Sequence, residues 1–439
     1  MEKQERFEKI SKSYILKNKD IPVLKFEYEE KKEKSLTGKY SSYKLKHIEI
    51  LREDLLPKSY PIKDKYNTTE LRKWIENRKA PKNRKNINNL INHEIQKYKL
   101  DSKNFMNYID ISFGLSLNDS YWIVPEDEKE YKWKDYNLYK NKFSEKLSLI
   151  AFGEKGIADN SLDEIKTSPE YTTNGMLAKC WAIIDDEIYL LKKSSEHHKV
   201  EAIAEYYMGQ VAEIMGFNHV DYNITTYHEN IVSSCKLFTN EDEGYIPLSN
   251  CLTKEEIVKR PDKLLKRIEE LTGREFLEDI MVFDSLIYNE DRHLGNYGLI
   301  VNNNTGELLR PAPIFDNGNS ALMLYSDLPK DSTEIFAEHR IGLSFNVLSE
   351  EFVNERHKEG LEKLKDFKFI RHPKFNLPEE LLEKVEKFIS QRAKFISNQL
   401  EKKLEKNLEK EETEKKTEAK KMNKNNTRIR SRSNTGRER

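Results

Sequence analysis

The sequence predicts an α+β chain of two lobes, a small β-rich one followed by a larger helical one, behind an N-terminal accessory region. Three observations predict it. Two apolar runs, Met176 to Ile184 and Ile188 to Leu191, flank Asp185-Asp186-Glu187 as the strands of a hairpin flank its turn. Beyond about residue 245 the pattern is mainly helical, ending in a long amphipathic stretch from Leu377 to Leu404. The first 150 residues follow neither pattern: strand-like runs, a polar Lys-rich stretch and an aromatic-rich segment succeed one another. The expected boundaries are 1–150 for the accessory region, 151–240 for the small lobe, 241–404 for the helical lobe and 405–439 for a polar, basic-ended flexible tail. A chain of 439 residues has ample length for such cores.

Lys+Arg and Asp+Glu are both 76, so net charge names no partner. A charged fraction of 35% and a mean hydropathy of −0.83 indicate a large solvated surface. Cys180, Cys235 and Cys251 are odd in number and lack paired spacing, which argues against a disulfide framework or structural zinc and fits a reducing compartment. No apolar run follows Met1 to Arg6 as in a secretory signal, and none approaches membrane-spanning length. The expectation is a cytoplasmic protein without membrane contact.

In the accessory region, Ile21 to Phe26 reads as a short strand, and the basic cluster Arg78 to Lys85 as a solvated turn before a helix. Residues 96–150, with Tyr121-Trp122-Ile123-Val124-Pro125 and Tyr131-Lys132-Trp133, read as core or interdomain packing. In the small lobe, Ser168 to Gly175 is turn-rich, and Lys192 ends the second hairpin strand. Ala202, Ile203, Tyr206, Tyr207, Val211, Ile214 and Met215 predict an amphipathic helix closed by Gly216. Ile231 to Phe238 is a strand, and Thr239 to Gly244 a hinge. In the helical lobe, apolar spacing from Arg274 to Tyr288 predicts a helix ending near Asn289. Gly298 to Val301 is a strand, Asn302 to Gly306 its turn and Glu307 to Arg310 the return, after which Pro311-Ala312-Pro313 leads into Ile314-Phe315-Asp316.

These elements bring Asp291-Arg292-His293-Leu294-Gly295-Asn296 and Phe315-Asp316-Asn317-Gly318 to successive loops. An Asp, an Asn five positions on, and a later Asp in a Phe/Gly turn is the arrangement of phosphoryl-transfer sites, where the first carboxylate takes a hydroxyl proton and the other two groups hold Mg²⁺. Mg²⁺ prefers such hard oxygen donors. A strand lysine paired with a helical glutamate completes it by holding nucleotide phosphates. Lys192 is preferred to Lys193 because it directly ends the apolar run, and neighbours in a strand face opposite ways. Glu205 competes with Glu201, one turn earlier on roughly the same face. The Thr172-Thr173-Asn174-Gly175 turn could cap phosphates with backbone N–H groups. Each feature has a plain alternative: Asp and Asn bond nearby backbone in ordinary loops, and Lys is common at sheet edges.

The chain resembles the HipA-like serine/threonine kinases, especially the branch with the Helicobacter cell-translocating kinase. The resemblance rests on Thr172 to Gly175 with Lys179, Ile188 to Lys192, Ala204-Glu205 before Gly216, the Asn289-x-Asp291-x-His293-x-x-Asn296 loop, and Ala312 to Asp316. It implies a two-lobed protein-kinase-like fold, ATP with Mg²⁺ as cofactors, and phosphorylation of Ser or Thr on a protein substrate. Asp291 would be the catalytic base, Asn296 and Asp316 the metal ligands, Lys192 the phosphate ligand and Glu205 its orienting partner. Autophosphorylation would fall on Ser168, Thr172 or Thr173, and the family's toxin members imply a DNA-binding antitoxin partner and a toxin or effector role. The Thr-Thr-Asn-Gly turn and the first 150 residues depart from the toxin pattern. Two other classes compete: a metal-dependent phosphohydrolase using Asp291, His293 and Asp316, and a pseudokinase or scaffold. From Lys420 to Arg439 the tail carries eight Lys/Arg and one acidic residue, Glu438, so weak nucleic-acid contact is set against a merely solubilising role.

Overall fold

The computed structural model describes residues 8–35, 38–60, 64–81, 84, 86, 101, 103–153, 167–194, 200–258, 260–324, 328 and 338–434. The chain opens with strands β1 (Glu8–Asn18), β2 (Ile21–Ser35) and β3 (Gly38–Ile50), helices α1 (Thr68–Asn77) and α2 (Asn107–Ser112), and strand β4 (Tyr121–Pro125). The antiparallel sheet runs β3-β2-β1-β4. Period-two alternation divides its residues between two cores. Tyr14, Leu16, Phe26, Tyr28 and Ile123 pack on Leu71, Trp74 and Ile75 of α1 and on Ile109 of α2. Ile15, Trp122 and Val124 face the other way, joining Leu117, Trp133 and Phe143 against Ile188 of the small lobe. β2 reaches 15 residues, longer than the apolar run Ile21 to Phe26 suggests. Its continuation is held by charge: Lys9 and Lys46 both bond Glu29, at 2.6 and 2.7 Å.

The basic cluster is not a solvated turn where it is described. The Arg78 fork bonds Asp119 at 2.7 and 3.0 Å and the Gly114 carbonyl at 2.9 Å. Arg84 is wholly buried. Charge alone predicts exposure, but a guanidinium can be buried where a carboxylate and carbonyls meet its donors.

The small lobe contains α3 (Glu145–Phe152), the hairpin β5 (Lys179–Ile184) and β6 (Glu187–Lys193), helix α4 (Glu201–Met215), β7 (Tyr222–Tyr227) and β8 (Asn230–Lys236), with sheet order β5-β6-β8-β7. Asp185 and Asp186 both take positive φ, 51° and 62°, as a two-residue hairpin turn demands. Gly216, at φ +72°, stops α4.

The rest is mainly helical: β9 (Glu243–Pro247), α5 (Pro261–Thr272), α6 (Arg274–Ile287), β10 (Gly298–Asn302), β11 (Leu308–Pro311), α7 (Phe345–Phe352), α8 (Lys358–Leu364) and α9 (Glu379–Asn434). The three strands form a sheet ordered β11-β10-β9. One core joins Ile203, Tyr207 and Val211 of α4 to the helices of this lobe, including Phe283, Phe345, Leu382 and Ile389. The mixed α+β class and the β-rich and helical divisions agree with expectation. α9 differs: loss of apolar periodicity near residue 404 does not end it, and it continues to Asn434. As far as Lys416, Lys and Glu are good helix formers, and Glu411–Lys415 and Glu412–Lys416 pair at i,i+4, so this exposed part of the helix needs no apolar stripe. Residues 435–439 lie outside the described residues. Among the described residues, no helix is long and apolar enough to cross a membrane.

Two glycines should respond differently to alanine. A Cβ on Gly298 would sit 2.1 Å from the Ile246 carbonyl oxygen and 2.8 Å from Pro247 Cα, so the β9–β10 pairing would have to part. A Cβ on Gly216 meets nothing within 4 Å and opposes only the positive φ. Gly216→Ala should therefore cost about 1 kcal/mol, and Gly298→Ala clearly more, in denaturant unfolding. The reverse order would refute this account of the sheet.

Candidate active site

Arg292 organises the centre of the helical lobe. α6 stops at Tyr288, in the left-handed region at φ +60°, and Asn289 Oδ1 then accepts from the Asp291 N–H at 3.0 Å. That turn sends Arg292 inward and leaves Asp291 partly exposed. Arg292 Nε donates to both Asp284 oxygens at 3.1 Å, and Nη2 to Asp284 Oδ1 at 3.0 Å. Its remaining donors reach the Asn296 carbonyl at 3.3 Å, the Phe315 carbonyl, and Asn317 Oδ1 at 2.7 Å. One buried fork thus fastens α6, the 291–296 loop and the 315–317 turn together. His339 Nε2 adds a contact to Asp284 Oδ2 at 3.2 Å.

The two loops are fixed further at their own residues. Asn296 is buried and donates its Nδ2 to the Asp291 carbonyl at 3.2 Å, so its amide oxygen is not used in that bond. Phe315 packs against Phe238 and Tyr245, with ring centroids 5.7 and 5.6 Å away. Asp316 takes φ +58°, and its N–H donates to the Tyr222 hydroxyl at 3.0 Å. Asp291 Oδ1 accepts from Arg340 Nη2 at 2.8 Å.

Across the cleft, Lys192 Nζ bonds Glu205 Oε1, and bonds Asp316 Oδ1 at 2.7 Å. Ser233 Oγ donates to the second Glu205 oxygen at 2.5 Å. Lys193 points to the other face, its Nζ 4.8 Å from the Phe152 ring centroid. The structure therefore gathers Lys192, Glu205 and Asp316, and Arg292 joins the Asp291–Asn296 loop to the Asp316 turn. Burial disfavours the charged Lys192, yet Asp316 and Glu205 outweigh it and raise its pKa. Burial pushes Asp316 up, but Lys192 and Lys179 together hold it well below the usual carboxylate range. Burial raises Glu205 against the pull of Lys192.

Lys179 received no role from its sequence position, and the structure supplies the reason to give it one. It pairs with Lys192 in the β5–β6 register, so both side chains lie on one face. It is buried, and burial together with the Lys192 charge lowers its pKa to about 8. Its Nζ lies against Gly175, where a Cβ would fall 2.1 Å away. Gly175 has φ +94°, so the backbone there favours glycine, and a Cβ would displace the Lys179 ammonium. Two lysines and a glycine turn on one side of the cleft, with Asp316 and Asn296 on the other, suit an anion bridged to a divalent cation.

The turn itself is tied down. Ser168 Oγ accepts from the Glu170 N–H at 3.2 Å, and Thr172 Oγ1 donates to the Leu115 carbonyl at 2.8 Å. Thr173 Oγ1 donates to the Pro169 carbonyl at 2.7 Å and accepts from Trp181 Nε1 at 2.8 Å. Ser168 and Thr172 are buried, Thr173 is half-buried and Asn174 is exposed. His293 turns back on its own loop, its Nδ1 accepting from the Gly295 N–H at 3.0 Å. Among the described residues, the carboxylate and imidazole atoms that gather within 4.8 Å in a group of three belong to Glu213, His219 and Asp221, so Asp291, His293 and Asp316 form no such cluster.

A family model described as HipA-like kinase matches residues 172–414, more than half of the chain. The serine/threonine-protein kinase CtkA of Helicobacter pylori is 28% identical over 154 residues, which are 31% of this chain and 47% of that protein. The chain thus spans about half the length of this curated relative. Of solved structures, the Shewanella oneidensis toxin–antitoxin complex of HipA, HipB and operator DNA aligns at TM-score 0.50 and 12% identity, over 88% of this chain and 97% of the other. The Helicobacter pylori proinflammatory kinase CtkA aligns at TM-score 0.41 and 20% identity, over 50% of this chain and 88% of the other.

Two measurements probe this geometry. Arg292→Met would strand Asp284 in the core with His339 as its remaining side-chain partner among the described residues, and should cost about 3 kcal/mol of unfolding free energy; a loss below about 1 kcal/mol would make the fork dispensable. Lys179 has a folded pKa near 8, below the ordinary 10.5. Below both values, folded and unfolded chains alike carry the charge, and the folded chain bears its full burial cost. As pH rises through that window the folded chain sheds the proton first, so this site's contribution to stability rises. Anion affinity should move oppositely and fall as pH passes about 8. Both trends should vanish in Lys179→Met, read by melting and pyrophosphate titration against pH; identical pH profiles in the two proteins would contradict the assignment.

Proposed function

Because the chain belongs to the HipA-like kinase family, we propose that it is an ATP- and Mg²⁺-dependent serine/threonine protein kinase. The observation that carries this reading is Lys192, bonded at once to Glu205 and Asp316 in the cleft. Glu205 holds the lysine against the pull of Asp316, so its ammonium stays oriented for nucleotide phosphates. Lys179 adds a second cation beside Gly175. Asp316 and the Asn296 amide oxygen are the hard oxygen donors that would hold Mg²⁺, which when bound neutralises phosphate charge. The terminal phosphoryl group passes from ATP to a Ser or Thr hydroxyl of the protein substrate: the bond to the ADP oxygen breaks, a new P–O bond forms, and the hydroxyl proton goes to Asp291. Asp291 is suited to this by its exposure and by the Asn289 and Asn296 bonds that fix its backbone.

The finer parts of the proposal are a place in the Helicobacter branch, a toxin or effector role with an antitoxin partner, and autophosphorylation in the 168–173 turn. The last requires the turn to open, since the hydroxyls of Ser168, Thr172 and Thr173 are all engaged.

Asp291→Asn should lower phosphoryl transfer on the order of 10²- to 10⁴-fold with an unchanged melting temperature. Asp316→Ala should lose Mg²⁺-dependent ATP binding, and Asn296→Ala should weaken it. Lys192→Ala should impair ATP binding where Lys193→Ala does not. Labelled ATP, nucleotide titration with and without Mg²⁺, and mapping of modified residues by mass spectrometry test the set. Wild-type activity in Asp291→Asn would sink the base assignment.

A further inference from the structure

The accessory region grips the turn that carries Gly175. Arg84 Nη2 bonds Glu170 Oε2 at 2.8 Å, and both side chains are fully buried. The same guanidinium donates to the Glu170 carbonyl at 3.2 Å, the Thr173 carbonyl at 3.3 Å and the Lys179 carbonyl at 2.6 Å. The other Glu170 oxygen accepts from the Trp181 N–H at 2.8 Å. Two further bonds come from the same region: Ala80 N–H donates to the Tyr171 carbonyl at 2.7 Å, and the Leu115 carbonyl accepts from Thr172. Arg84 therefore bonds both ends of the turn, residues 170–173 before Gly175 and residue 179 after it.

We infer that Arg84 is a positioning residue for nucleotide: it latches the 170–179 turn to the accessory region, and so sets where Gly175 and the Lys179 ammonium meet the phosphates. This rests on the kinase reading for the identity of the ligand. The latch itself rests on geometry alone. Taking an ion pair out of water is costly and seldom improves stability over an apolar pair, so stability gives little reason for it. Its geometry gives another. A guanidinium offers several donors in a fixed plane, and here they span carbonyls nine residues apart that no apolar side chain could hold. Other bonds hold the turn as well, from Thr172 to Leu115, from Thr173 to Pro169 and Trp181, and from Glu170 to Trp181; Arg84 adds a single cation that bonds residues on both sides of Gly175. Preorganisation of a binding loop raises affinity by removing the ordering cost from the binding step. The benefit should then be specific to ligands that carry phosphates.

The test compares the full-length wild type with Arg84→Lys, which keeps the charge but not the fork, and with Arg84→Met/Glu170→Gln, which removes the buried ion pair and keeps an acceptor for Trp181. Backbone hydrogen exchange is followed for residues 170–181 without nucleotide, and ATP and adenosine are titrated separately. Melting temperatures report whether each variant folds. The expected result is exchange faster by about tenfold and ATP binding weaker by about tenfold in both variants, with adenosine affinity unchanged. A merely structural role would weaken adenosine and ATP together. Unchanged exchange, or exchange that rises while ATP affinity holds, overturns the inference. If wild type binds no ATP while the variants exchange faster, the kinase reading fails and the latch stands.

Discussion

The buried Arg292–Asp284 pair is the constraint on which the rest of the site depends. Neither side chain has access to water, so each must satisfy the other, and the remaining Arg292 donors must find acceptors nearby. Those acceptors are backbone carbonyls and an amide from two separate loops. The need to satisfy one cation thereby fixes the distance between the segment bearing Asp291 and Asn296 and the segment bearing Asp316. Asp284 lies in the apolar core of the lobe among Val282, Phe283 and Leu286, so the pair is anchored on a buried helix. Loops are normally the softest elements of a fold, and here two of them take their position from a helix interior.

A second concentration of charge sits across the cleft. Lys192, Glu205, Asp316 and Lys179 share a space with few other partners, and their ionisation is mutually dependent. The two lysines repel, which is part of why Lys179 gives up its proton more easily than a solvated lysine. Asp316 belongs to both groups: its backbone follows the Arg292 network and its carboxylate answers to Lys192. Through it Lys192 of the small lobe is ion-paired to the helical lobe.

Much of the architecture was legible because it is local. Apolar runs on either side of Asp185-Asp186-Glu187 mark the hairpin, and the end of the second run favours Lys192 over Lys193 as the one facing α4. Helical spacing, with Gly216 behind it, defines α4. The polar loop after α6 and the Pro-rich approach to Phe315 likewise leave marks within a few residues. What was not legible is held by pairs far apart in sequence. Arg84 and Glu170 are 86 residues apart, and nothing in the string Lys82-Asn83-Arg84-Lys85 marks Arg84 as a buried arginine. The Arg340 contact with Asp291 spans 49 residues and is equally silent. α9 erred in the opposite sense: an apolar stripe is the usual mark of a helix, and a helix sustained by Lys–Glu pairs in water has none.

α4 arises in the small lobe yet buries its apolar face in the core of the other. Beyond that core, Tyr207 bonds Asn376 at 2.5 Å, and Gln210 exchanges two bonds with Ile370, at 3.0 and 2.8 Å. The helix bearing Glu205 is thus moored to the helical lobe at several points along its length. A swinging helix that withdraws its glutamate would have to tear these moorings. If the two partners of this ion pair move apart, the β5–β6 hairpin with its two lysines is the side with fewer ties to the helical lobe. Any control over when the ion pair forms must then act on the sheet and on whatever grips it, rather than on the helix.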